Sequence, residues 1–174
     1  MPVPVVGTLD RLIVRRPWVQ GLIAGVHRAS LPLLRITLGI VFLWFGALKV
    51  FDVTPVGPLV VETANGLLAI LLPGAVMSES MLIPALGVFE VAIGVALIAG
   101  QGMLLAIPLF LGHMLGTFGL LVVMPDVAFT DGNPLLITVE GEFVIKNLVM
   151  LAAGLAVGTA ALMRRVRGMP AARP

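Results

Sequence analysis

Apolar side chains gather in four long runs, 33–50, 81–99, 103–124 and 143–163, with the polar residues collected mostly between them. At about 1.5 Å per helical residue, each run is long enough to cross the roughly 30 Å hydrocarbon layer of a bilayer. None alternates apolar and polar positions as a barrel strand would, and lipid offers no partners to open backbone amides. The pattern therefore predicts four spanning helices.

The stretches between the runs fill in the outline. Residues 66–72 are apolar, preceded by Pro55, Pro58 and Glu62 and closed by Pro73 and Gly74. Seven residues cannot span, so a helix over 58–72 is expected to cap the outer mouth of the bundle, with a re-entrant segment as the alternative. Gly100, Gln101 and Gly102 form a short uncharged turn, which makes the second and third spans antiparallel neighbours. Before the first run, Trp18, Leu22, Ile23 and Val26 stand opposite Gln20 and His27, in a segment that opens at Pro17. That predicts a short amphipathic helix lying in the cytoplasmic interface. The segment has neither the long apolar core nor the small-residue cleavage site of a signal peptide, so it is expected to be retained. The expected organisation is an interfacial segment at 1–30, a four-helix transmembrane domain at 31–163 and a basic tail at 164–174. The fold class is thus all-α, an integral membrane four-helix bundle with an N-terminal interfacial helix and a short outer cap helix.

Composition agrees with a lipid solvent. Of the 174 residues, 59% are hydrophobic and 11% charged, and this leaves too few polar side chains to cover a water-facing surface. The absence of Cys excludes disulfides, thiolate metal sites, iron–sulfur clusters and a thiol relay carried by this chain.

Charge placement gives an orientation. Arg11, Arg15, Arg16, Arg28 and Arg35 precede or begin the first span with only Asp10 beside them, and Arg164, Arg165, Arg167 and Arg173 follow the last. The opposite ends hold Lys49 and Lys146 against Asp52, Glu62, Glu79, Asp126, Asp131, Glu140 and Glu142. The positive-inside rule then puts both termini in the cytoplasm, as an even helix count also requires. The same Arg excess explains the pI near 9.9 through anchoring to anionic lipid. Without interleaved aromatics, nucleic acid is not an expected partner.

Several ionisable side chains lie within the runs. Arg35, Gly39, Phe42, Gly46 and Lys49 are spaced by four, three, four and three residues, so they share one helix face. Its glycines suit close approach of a neighbouring helix. Arg35 and Lys49 lie about 21 Å apart along the axis and either face the bundle or snorkel to the interfaces. Glu90 stands mid-span, where a carboxylate costs roughly 2.5 to 3.5 kcal/mol, and shares a face with Gly87 and Gly94. It reads as a proton or ligand site, or as a structural hydrogen-bonding group. His113 is placed at similar depth by the turn at Gln101, so the two could touch, although a lone intramembrane His is often an interior residue with no further role. Glu142 and Lys146 have the spacing of a helix-stabilising ion pair; alternatively, Lys146 joins Lys49, Asp52 and Asn147 in an outer polar cluster. The candidate sites are thus a midplane pair and an outer cluster.

Metal binding is not expected, because Glu90 and His113 do not make the usual three protein ligands. There is no Gly-x-Ser-x-Gly elbow, phosphate loop or dinucleotide fingerprint, and Ser30, Ser78 and Ser80 lie at span edges.

The run LRITLGIVFLWFGALKVF, with Arg35, Gly46 and Lys49, resembles the opening helix of the DoxX-like membrane proteins, and LGVFEVAIGVALIAG, with Glu90 and Gly94, resembles their second. The stretches TPVGPLVVETANGLLAILLPG and LLITVEGEFVIKNLVMLAAGL, the latter with Glu142 and Lys146, are most similar to the YkgB-like branch, whose members are linked to resistance to reactive chlorine species. The likeness spans about residues 31–163. It implies a bacterial inner-membrane bundle acting as an accessory redox-associated subunit, without catalysis of its own, that contacts quinone or lipid and partners an oxidoreductase. No other cofactor is implied. A purely structural scaffold, self-associating or bound to another membrane protein, is the alternative, and a small-solute or proton permease the third. The lack of Cys departs from members that handle thiols themselves.

Overall fold

The computed structural model describes residues 15–168. Four of its helices are long and apolar enough to cross a membrane. They are α1 (Pro17–Val50), α3 (Glu79–Ala99), the third span beginning with α4 (Met103–Thr117), and α7 (Val139–Gly168). Between α1 and α3 lies α2 (Gly57–Leu71), within one residue of the expected cap helix. The third span continues as α5 (Leu120–Val123), and the following loop contains α6 (Pro125–Ala128).

The bundle closes as a ring in which α1 packs on α3 and α7, and α4 packs on α7 and α3. Its centre is filled by Leu38, Phe42, Ile93, Leu97, Ile107, Phe110 and Met114. Large apolar residues also cover the outside: Ile40, Trp44, Val88, Val95, Leu105, Val149 and Leu155 are all exposed. A surface as greasy as the core is stable only in lipid or against another apolar surface.

The tightest contact is between α1 and α3. A Cβ built on Gly39 would stand 2.8 Å from the Gly94 carbonyl oxygen, and one on Gly46 would stand 2.8 Å from that of Gly87. The glycines recur after seven residues in both helices, so an antiparallel crossing places both pairs in contact at once. Absence of four β-carbons lets the backbones meet.

Two elements differ from the pattern-based outline. The N-terminal amphipathic stretch is not a separate helix, since α1 runs unbroken through Pro32 for 34 residues. Pro removes one backbone donor and bends a helix without ending it where the flanking turns are strong, and here the flanking residues are Leu-rich. At about 1.5 Å per residue α1 is about 51 Å long, more than a bilayer core requires. The third span is interrupted. Thr117 Oγ1 donates to the Met114 carbonyl at 2.7 Å, and the next amides, Phe118 and Gly119, bond to carbonyls three residues back. Hydroxyl competition for that carbonyl tightens the turn before α5 resumes.

The connections are held by polar side chains. Gly100 and Gly102, at φ 70° and 64°, make the α3 to α4 turn. Asn65 Nδ2 donates to the Met77 carbonyl while the Met77 amide donates to Asn65 Oδ1, which ties the loop before α3 to α2. Thr138 Oγ1 accepts from the Gly141 amide at 3.1 Å and so caps α7.

Candidate functional site

The glycine crossing determines where the charges go. Lys49 follows Gly46 by one turn and Glu90 follows Gly87 by one turn. A Cβ on Gly87 would meet Lys49 Cβ, and one on Gly46 would meet Glu90 Cβ. Each charged side chain therefore leaves its helix over the other helix's glycine, and the two run toward each other inside the bundle.

Their meeting is close. Lys49 Nζ donates to Glu90 Oε2 at 2.7 Å and to Oε1 at 3.0 Å. From α4, His113 Nε2 stands 3.0 Å from the same Oε1. Side-chain exposures of 8% for Lys49, 6% for Glu90 and 13% for His113 put the constellation in the interior, with the imidazole the most open of the three. Three spans thus each contribute one titratable group, with Lys49 and His113 both meeting the Glu90 carboxylate.

Burying these charges is costly, and here they share the cost. An isolated charge in a low-dielectric interior loses several kcal/mol of hydration, whereas an oppositely charged partner making two short contacts returns much of it. Aromatic rings flank the imidazole. The His113 ring lies 5.4 Å from Phe42, edge to face, and 5.8 Å from Phe89, while Phe42 lies 4.6 Å from Phe110. These rings hold the imidazole in place.

The outer cluster does not assemble. Lys146 pairs with Glu142 at 2.7 Å, four residues away on α7, with side-chain exposures of 70% and 58%. This is the local helix pair of the two readings, and it sits on the outside of the bundle. Asn147, about 100° further around α7, points inward, and its Nδ2 donates to Thr117 Oγ1 at 3.0 Å. Asp52 is exposed in a left-handed turn residue at φ 56° after α1. Expecting Lys49, Lys146, Asp52 and Asn147 in one pocket is thus corrected: Lys49 is drawn to the bundle centre by Glu90, and Lys146 and Asn147 face different ways.

Arg35 occupies the opposite end of the α1 stripe. Its guanidinium lies directly over Gly100, with Nη2 3.5 Å from the Ile98 carbonyl, where a cation offsets the negative end of α3.

Chemically, the Lys49, Glu90 and His113 arrangement can hold and exchange protons between a base, a carboxylate and an imidazole, or present hydrogen-bonding groups to a ligand at membrane depth. No group of three or more His, Cys, Asp or Glu side chains suited to a metal ion converges among the described residues. Sequence spacing had linked Glu90 with His113 but not with Lys49. The available signal was the repeated seven-residue glycine spacing in α1 and α3, which sets the antiparallel register. Comparison with protein-family models, curated proteins and solved structures finds no match to the chain.

Proposed function

We propose that this protein is an accessory subunit of a bacterial inner-membrane redox system, of the DoxX-like type, with both termini cytoplasmic. In this reading the His113 edge of the buried constellation hydrogen-bonds a carbonyl-bearing ring such as a quinone and exchanges protons with it. Lys49 and Glu90 supply the charge balance, and an oxidoreductase partner supplies the electrons. The observation that carries the proposal is the convergence of lysine, glutamate and histidine from three spans on one site, the imidazole being its most accessible member. A purely packing role needs only the Lys49 to Glu90 pair; the third titratable group suits proton exchange.

The test is binding of decylubiquinone to purified protein in lipid nanodiscs. His113→Phe keeps the aromatic packing and should weaken binding about tenfold, the worth of one well-placed hydrogen bond. Affinity unaltered by both His113→Phe and Glu90→Gln removes the quinone reading.

A second reading, a scaffold for a membrane complex, is favoured by a different observation. Lys49 already covers both oxygens of Glu90, as a clamp between α1 and α3 would. Isolation of a stoichiometric partner whose retention is indifferent to His113→Phe would support it.

A further inference from the structure

At the other end of the bundle from Lys49, a cavity of about 200 Å³ opens between α1, α7 and the α3 to α4 turn. Arg35, Arg164 and Arg165 line it, together with the apolar Leu31, Val157 and Ala161. None of the three arginines forms an ion pair with a carboxylate among the described residues. The Arg35 Nε is buried and has no hydrogen-bond partner, although Nη2 of the same guanidinium caps α3.

Basic residues near the C-terminus of α7 are favoured by its dipole, which accounts for their presence. It does not account for two of them converging with Arg35 from another helix on one cavity. Three like charges around a small space repel. An anion with several acceptor oxygens offsets that repulsion. The apolar part of the lining adds a second requirement, for a hydrocarbon attached to the anion. Alanine at position 161 leaves room for a chain descending beside Val157.

We infer that the cavity binds the phosphodiester of an anionic phospholipid, with the headgroup among Arg35, Arg164 and Arg165 and an acyl chain against Val157 and Ala161. Guanidinium suits this task because its planar fork donates to two phosphate oxygens at once. The site differs from general surface attraction in having a place for one lipid.

The test uses the full chain in detergent, with phosphatidylglycerol, phosphatidylcholine or inorganic phosphate added, read by native mass spectrometry and thermal unfolding. Phosphatidylglycerol should be retained one per chain and raise Tm, while phosphatidylcholine does neither. Arg164→Gln with Arg165→Gln should weaken retention about tenfold. These residues are exposed at the end of α7, so the fold survives; Arg35 is spared because it caps α3. Ala161→Phe should weaken retention similarly by filling the cavity without altering charge. The matched pair Arg15→Gln with Arg16→Gln removes two exposed charges at the far end of α1 from the cavity and should have little effect. Equal losses in the matched pair would reduce the binding to diffuse charge attraction and overturn the site. Equal retention of phosphatidylcholine, or an equal rise in Tm with inorganic phosphate, would overturn the lipid assignment.

Discussion

Gly46 and Gly87 meet backbone to backbone, and that contact is what brings Lys49 within reach of Glu90. A side chain at either glycine would strike backbone: a Cβ on Gly87 would be 2.8 Å from both the Gly46 carbonyl oxygen and the Val50 amide nitrogen. Backbone cannot rotate aside as a side chain does. The crossing therefore has to widen if either residue grows, and the ion pair lengthens with it.

Gly87→Ala is accordingly expected to destabilise the protein by about 1 to 3 kcal/mol through overpacking. Gly112→Ala is the control, since nothing lies within 4 Å of a Cβ there. It should be neutral or slightly stabilising because alanine favours the helix. Thermal unfolding of the two purified variants decides the matter; equal Tm values would show that the glycine contact does not set the helix separation.

Lys49→Met and Glu90→Gln should each cost about 3 kcal/mol or more, because each change leaves the other member of the buried pair without its partner. A neutral hydrogen bond between membrane helices is worth only about 0.6 kcal/mol on average, so the size of the loss separates an ionised pair from a merely polar contact. The double variant should be less destabilised than the two single losses combined. Unfolding in mixed detergent micelles across this cycle measures the coupling, and strict additivity would argue that the two groups do not interact.

His113→Phe should leave stability within about 1 kcal/mol, since the contacts with Phe42 and Phe89 survive in an aromatic ring. His113→Asp should be far more damaging, because it sets a second carboxylate against Glu90 in a low-dielectric space. Comparable Tm values for the two variants would mean that the ring is not held against Glu90.

Neighbouring positions on α7 should respond in opposite ways. Lys146→Ala removes an exposed helix pair and is expected to cost no more than about 0.5 kcal/mol. Asn147→Ala removes a buried side chain together with its hydrogen bond to Thr117 from another span and should cost about 1 to 2 kcal/mol, the neutral bond of about 0.6 kcal/mol plus the lost packing. Unfolding midpoints of these variants test the assignment of inside and outside on α7; a reversed order would contradict it.

Much of this molecule follows from local pattern. Run length and hydropathy set the number of spans, because only helices satisfy backbone polar groups in lipid, and Gly100 with Gly102 forced α3 and α4 to lie antiparallel. That turn alone put Glu90 and His113 at one depth, since distance from a tight hairpin is counted along the chain. What remained open was which helix faces meet. Lys49 and Lys146 look alike in sequence, both near the same end of a span and both close to possible partners. Tertiary structure separated them: the paired glycines let α1 and α3 touch and carried Lys49 inward to Glu90, while the rotation of α7 that buries Asn147 turned Lys146 outward. Such a choice depends on how closely two distant backbones can pack, a quantity that no single helix encodes by itself.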